Sequence, residues 1–316
     1  RLHGDDPLAA RLAAAWPPRL AGLHRLHFDD GRVTLTLALG DAGAVLPRLA
    51  ARADAIYLDG FAPAKNPAMW SPDVLAAVGR LAGPGTTVAT WSVAAAVREG
   101  LAAAGFAPAT APGFGRKREM LVGSQPGEHA EPARVRRACV IGAGLAGTCI
   151  AERLAARGWS VRIFEREAGV ARGASGNPVG VVQPVLNLVD APNARLSRAA
   201  FLYAVRRFRD TPDLAWRECG VLRHARDDAQ QARFERILAG LGAPEDYAHC
   251  VDRDAAAAHA GVAVGGAGVW FPGGKNCFKN FHSKLPSSER GELFKDSSMR
   301  EDRFSDCKHS NYFSLF

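Results

Sequence analysis

The sequence predicts an α/β protein of two consecutive domains, and three observations carry that prediction. Short apolar runs of strand length alternate with helical stretches from Val33 to Phe164, the order expected of a doubly wound sheet. Gly142, Gly144 and Gly147 form a G-x-G-x-x-G turn between an apolar run and an Ala-rich helix, with a second strand and a carboxylate after it. Residues 124–136, SQPGEHAEPARVR, are polar and Pro-containing, as a domain linker is.

Taken in order, Asp5 to Trp16 has helical spacing that Pro17-Pro18 ends. His24–Phe28 and Val33–Leu39 alternate as strands around Asp29-Asp30-Gly31, a hairpin signal. After Gly40-Asp41-Ala42 the spacing predicts a helix to Arg52 and a strand over 55–58 that ends at Asp59. GFAPAKNPAMW (60–70) is too rich in Pro and Gly for either element and reads as a loop at a strand's C-terminal end, where open α/β sheets bind ligands. A helix over 72–82, a strand over 86–91 and a helix over 93–104 continue the alternation. GFGRKREM (113–120) is a basic turn before a short strand at 120–122.

Beyond the linker, Ala138–Ile141 suits a buried parallel strand and a helix follows through Arg157. Ser160–Phe164 is the next strand and ends at Glu165. In such a unit the first glycine permits the sharp turn, the second lets backbone approach a pyrophosphate, and the third lets helix pack on strand. The helix N-terminus offers N–H groups and partial positive charge to the phosphate, and the acid takes ribose hydroxyls. A second Gly-rich loop spans 171–184, and helices are expected over 193–208 and 224–241.

From Lys275 to Phe316 there is no alanine and no valine, although alanine dominates the chain before it. Lysine stands only at 65 and 117 upstream, then at 275, 279, 284, 295 and 308. The break predicts an unrelated tail over 275–316, from a frameshift, a sequence join or a foreign exon. The start, RLHGDDPLAA, is neither a signal peptide nor an initiator methionine and reads as a truncation.

The charge of +8 and isoelectric point near 9.5 suit an anionic partner such as RNA. No apolar run reaches membrane-spanning length, so no membrane is expected. The six cysteines form no C-x-x-C pair and no Cys/His cluster, which predicts reduced thiols, a cytoplasmic location and no metal site.

Several side chains have two readings. Asp59 can meet an amine, or it can cap the loop at Gly60 or Phe61. Asp41 can accept from an adenine amino group or N-cap the helix beside it. Arg116, Lys117 and Arg118 can grip phosphate or form a solvated turn. Trp70 and Trp91 lie near the loop mouths, where they can stack on a base.

LDGFAPAKNPAMW (58–70), GFGRKREM (113–120), VIGAGLAG (140–147) and GASGN (173–177) occur in this order. Together they resemble the MnmC family, bacterial bifunctional proteins of tRNA 5-methylaminomethyl-2-thiouridine biosynthesis, up to Pro272-Gly273-Gly274. The resemblance implies a partial Rossmann-like S-adenosylmethionine-dependent methyltransferase domain over 1–123. It implies the start of an FAD-binding Rossmann domain, glycine/sarcosine oxidase-like, over 137–274. The oxidoreductase removes carboxymethyl from 5-carboxymethylaminomethyluridine at the tRNA wobble position, and the methyltransferase then methylates the exposed amine. By motif, Asp59 matches the catalytic acid, and Asp41 the position near the adenine of S-adenosylmethionine. Arg116, Lys117 and Arg118 match the turn suited to tRNA. Gly142, Gly144, Gly147 and Glu165 match the FAD pyrophosphate and ribose site, and Ser175, Gly176 and Asn177 the loop that reaches toward the flavin. The family places a methyl-donor glycine loop upstream of Arg1 and most of the FAD domain after Gly274, so the chain is expected to be an internal fragment, incomplete for both activities. Two other functions stay open: an FAD-dependent small-amine oxidase fused to a degenerate methyltransferase, and a silent tRNA-binding module.

Overall fold

The computed structural model describes residues 6–128, 136–177, 179–210, 216–278 and 300–303. The second half of the linker and most of the tail lie outside the described residues. The chain forms two compact units, Arg1–Leu39 with Val135–Phe316, and Gly40–Arg134.

The first unit opens with α1 (Pro7–Ala14), started by Pro7 and by Asp6, whose side chain accepts from the Leu8 N–H at 2.8 Å. β1 (Gly22–Phe28) and β2 (Val33–Leu39) pair as the expected antiparallel hairpin, with Leu26 opposite Leu35. Leu20, just before the hairpin, is buried in a core with Leu186, Phe201, Val205 and Phe271. Contacts therefore group the first 39 residues with the chain from 135 onward, whereas sequence order groups them with the residues that follow.

The second unit runs α2 (Ala42–Val45), β3 (Ala55–Leu58), α3 (Pro72–Leu81), β4 (Thr87–Thr90), α4 (Ala95–Ala103), β5 (Ala109–Pro112) and β6 (Glu119–Ser124). The sheet order is β3-β4-β6-β5, with β3 and β4 parallel and β6 antiparallel to both β4 and β5. Leu75, Val78, Val97 and Leu101 of the helices pack on Val88 and Leu121 of the sheet. The helix expected from 42 to 52 stops at Val45 and gives way to a single tighter turn, Leu46–Arg48. Pro47 has no N–H to extend the ladder. Arg80 instead donates to the carbonyls of Leu46 and Leu49, at 2.7 and 2.8 Å.

The first unit resumes with β7 (Arg137–Ile141), α5 (Leu145–Ala155) and β8 (Ser160–Glu165), a parallel β-α-β unit in which Val140 faces Ile163. Then come β9 (Val179–Val182), α6 (Pro192–Arg209), β10 (Trp216–Glu218), β11 (Val221–His224), α7 (Asp228–Leu241), β12 (His249–Val251), α8 (Arg253–Ala260), β13 (Gly268–Phe271), β14 (Lys275–Phe278) and β15 (Arg300–Arg303). They form sheets ordered β10-β14-β9, β11-β13-β12 and β15-β8-β7. The helix expected from 224 begins only at Asp228, because Val221–His224 pair with β13 and Asp227 caps the helix through the Gln230 N–H at 2.7 Å. β14 begins directly after Gly274, the position of the composition break, and pairs with both β9 and β10.

Candidate functional site

The glycine turn leaves β7 and enters α5. Gly142 has φ +94°, the left-handed region that favours glycine. A Cβ on Gly147 would collide with the Gly142 carbonyl oxygen and stand 3.3 Å from Val140 Cγ1, so helix and strand approach only because Gly147 is bare. A Cβ on Gly144 would meet only the Ser175 side chain, with Oγ at 3.0 Å. Gly142 thus makes the turn and Gly147 the packing, while the start of α5 at Gly144 is crowded by Ser175 alone.

Two distant side chains hold the turn. Glu165, at the end of β8, accepts from the Ala143 N–H through Oε2 at 2.7 Å and from the Glu167 N–H through Oε1 at 3.0 Å. The Glu167 N–H is the largest influence keeping its carboxyl below the ordinary 4.5, with partial burial opposing and the Ala143 N–H assisting. Ser175 Oγ accepts from the Leu145 N–H at 3.0 Å, capping α5 from thirty residues away. The Ala171 N–H donates to the Ala143 carbonyl at 3.0 Å, and Ala171 has φ +54°, unusual for a residue with a side chain. Gly176 and Asn177 follow in a short turn, Ala174–Gly176, with Asn177 exposed. Two loops far apart in sequence therefore meet at the N-terminus of α5. Such an end suits a pyrophosphate, with Glu165 beside it for ribose hydroxyls.

In the second unit the strand register decides what is brought together. Leu58 faces Thr90, Thr90 faces Leu121, and Pro112 faces Glu119. The ends of β3 and β4 and the β5–β6 turn therefore share one edge of the sheet. Asp59, Trp91 and the turn 113–118 all lie on that edge.

Asp59 is exposed, and among the described residues no hydrogen bond engages its carboxylate, so the loop-cap reading has no bond behind it. Arg116, Lys117 and Arg118 are exposed and form no ion pair with described residues. The turn that carries them is closed by the Gly113 N–H donating to the Arg118 carbonyl at 3.0 Å. Asp41 does cap α2, accepting from the Ala44 N–H through Oδ1 at 3.0 Å. A carboxylate has further acceptor capacity, so this bond leaves room for a second partner. Trp70 donates its indole N–H to the Phe61 carbonyl at 2.7 Å and packs beside the core, a structural use, whereas Trp91 stays partly exposed. Sequence reasoning missed Ala171, whose role lies in backbone conformation and leaves no mark on residue type.

Known proteins match both halves. Residues 4–126 match the family model described as S-adenosyl-L-methionine-dependent methyltransferase, and residues 137–279 the one described as FAD dependent oxidoreductase. The tRNA 5-methylaminomethyl-2-thiouridine biosynthesis bifunctional protein MnmC of Azoarcus sp. (strain BH72) is 49% identical over 272 residues, covering 84% of this chain. The chain is similar to the MnmC family through both matched regions. The family's protein from Cupriavidus necator is 46% identical over 288 residues, 86% of this chain. These matches cover 43% and 44% of the two relatives, so the chain spans less than half the length of the curated relatives it matches. Among solved structures, MNMC2 from Aquifex aeolicus aligns at a TM-score of 0.30 and 29% identity, over 34% of this chain and 36% of that one. The expected fold class holds: α/β, a methyltransferase region followed by an FAD-dependent oxidoreductase region.

Proposed function

We propose that this chain carries parts of the two catalytic units of a cytoplasmic tRNA-modifying enzyme. The oxidoreductase unit removes carboxymethyl from 5-carboxymethylaminomethyl(-2-thio)uridine at the wobble position, and the methyltransferase unit then N-methylates the exposed amine. The observation that supports this reading most is the order of two matched family models in one chain, methyltransferase first and FAD-dependent oxidoreductase second.

In the oxidoreductase unit, Gly142, Gly144 and Gly147 leave backbone open to the FAD pyrophosphate at the start of α5, and Glu165 takes ribose hydroxyls. Ser175, Gly176 and Asn177 line the approach from the turn toward the flavin. Bound FAD supplies the hydride-accepting chemistry, and the protein's part is orientation.

In the methyltransferase unit, S-adenosylmethionine supplies the methyl group and Asp41 accepts from its adenine. Asp59 holds the substrate amine by hydrogen bond and takes its proton as the nitrogen is alkylated. Arg116, Lys117 and Arg118 stand on the same sheet edge, where cationic side chains meet tRNA phosphates and position the wobble nucleotide.

Mass spectrometry of tRNA nucleosides tests the proposal. Hypomodified tRNA given the full-length protein with FAD should lose its carboxymethylaminomethyl nucleoside in favour of the aminomethyl form. Adding S-adenosylmethionine should convert that to the methylaminomethyl form. Oxidation of free small amines with no change in tRNA would favour the amine-oxidase reading, and tRNA binding without either product the silent module.

A further inference from the structure

A groove of about 800 Å³ lies in the first unit, between the segment Arg11–Phe28, the C-terminal half of α6 and Pro272-Gly273. Neither the glycine turn nor Asp59 lines it. Five arginines do: Arg11, Arg25, Arg206, Arg207 and Arg209. Three acids also line it, Asp210, Glu218 and Asp246, which leaves arginine in excess.

The arginines are not equivalent. Arg11 pairs with Asp29 at 2.8 Å, Arg207 with Glu152 at 3.3 Å, and Arg209 with Glu218 at 2.5 Å. Arg25 and Arg206 have no carboxylate within ion-pair distance among the described residues. Arg206 donates to the Arg25 carbonyl at 3.5 Å, and Arg25 to Thr36 Oγ1 at 3.3 Å, so each is tethered by a neutral oxygen and neither is closed off by an ion pair among the described residues.

The groove wall records the same excess. Burial most of all, and then the charges of Arg153, Arg157, Arg25 and Arg207, lower the proton affinity of His27. Burial and the neighbouring charge of Arg209 act against the Arg206 cation, and Asp210 only partly offsets them. An anionic guest would relieve both. At the groove's rim Trp16 is 50% exposed, so its indole is accessible to a stacking partner.

We infer that this groove binds a single-stranded stretch of RNA, with Arg25 and Arg206 on its phosphates and Trp16 stacked on a base. Guanidinium forks match phosphate, and bases stack on exposed aromatic faces whatever their identity. An acidic peptide would satisfy the arginines but leave the indole without a partner. The inference rests on the tRNA reading above and adds a contact surface remote in sequence from Arg116–Arg118.

The test is anisotropy of a fluorescein-labelled anticodon stem-loop RNA titrated with the whole chain. The Arg25→Ala/Arg206→Ala double variant should bind at least tenfold more weakly, with its log–log salt slope flatter by about 1.4, from two lost single-strand phosphate contacts. Ultraviolet cross-linking of 4-thiouridine-substituted RNA to the unmodified chain should yield a modified peptide containing Trp16. That map decides the matter should the double variant fail to fold, and its absence from Trp16 overturns the proposal. A folded double variant that binds RNA like the parent removes the groove while leaving the tRNA function standing. No RNA binding by the parent removes both. Competition by polyglutamate as effective as by RNA of equal charge makes the occupant an acidic peptide and also overturns the proposal.

Discussion

Alanine at Gly144 and alanine at Gly147 should separate binding from folding at the glycine turn. At Gly147 the added Cβ collides with the Gly142 carbonyl oxygen, with Val140 Cγ1 already 3.3 Å away. Backbone must move, and overpacking of this kind costs about 1–3 kcal/mol of stability. A displacement of ~1 Å at the start of α5 would also carry N–H donors from about 2.9 Å to beyond hydrogen-bond range of a phosphate. At Gly144 the Cβ meets only the Ser175 side chain, with Oγ at 3.0 Å, and a small shift of that atom relieves the contact while keeping its bond to the Leu145 N–H. Stability there should change by less than about 1 kcal/mol. The methyl group nevertheless occupies the space where a pyrophosphate approaches backbone. Losing one or two charge-assisted bonds, each worth roughly 1.5–3 kcal/mol, weakens binding at least tenfold. ADP, which carries the adenosine and pyrophosphate of FAD, is the probe, with calorimetry for affinity and urea unfolding for stability. Both variants should lose ADP, and only Gly147→Ala should lose stability. Parental ADP affinity in a folded Gly144→Ala variant would refute the assignment of this turn to pyrophosphate.

Further predictions follow from single groups. Glu165 has its carboxyl held below 4.5, so its contribution to the turn is present above that value and fades as pH falls through the lowered one. Glu165→Gln should remove this acid limb from ADP binding measured between pH 3 and 6, and an unchanged profile would count against the role. Tyr247, 2% exposed, has its phenol pushed up to about 12 by burial, with Arg198 opposing. The neutral phenol is favoured in the fold, so stability should fall by about 2 kcal/mol between pH 10 and 12 as the unfolded chain ionises first. Tyr247→Phe should flatten that decline in urea midpoints, and an identical decline would show that other groups cause it. Replacing Arg116, Lys117 and Arg118 by alanine in the full-length protein should weaken tRNA binding and flatten its salt slope by about 2–3, and an unchanged slope would mean a solvated turn.

How much of this was legible in the sequence depends on what each residue type can encode. The β7–α5–β8 unit was, because a glycine turn between strand and helix has few other uses, and its elements lie where the spacing predicts. β3 was legible as an apolar run and α3 from the alternation of strand and helix, and the structure adds a Ser71 cap to α3. β5 was not, because Ala-Thr-Ala-Pro has no strand pattern of its own. It forms as an edge strand beside β6, where Pro112 is tolerated. The end of α2 was missed because Ala and Leu around Pro47 keep helical spacing even where the missing N–H breaks the ladder. Sequence named Glu165 and Ser175 as cofactor ligands but could not show that they also brace the turn through the Ala143 and Leu145 N–H groups, since those bonds join residues 22 and 30 apart. Nor could it place Arg25 and Arg206 on one groove, which only the packing of β1 near α6 does.

The central claim, two successive steps at two separate sites, is tested most directly by the wobble nucleosides that blocked variants leave behind. In the full-length protein supplied with FAD, S-adenosylmethionine and hypomodified tRNA, Gly144→Val should leave the carboxymethylaminomethyl nucleoside untouched. Given tRNA whose aminomethyl group is already exposed, that variant should still methylate it. Asp59→Asn should complete the oxidative step and accumulate the aminomethyl form. If either folded variant loses both activities, or Asp59→Asn still yields the methylaminomethyl nucleoside at the parental rate, the division of labour between the glycine turn and Asp59 is wrong.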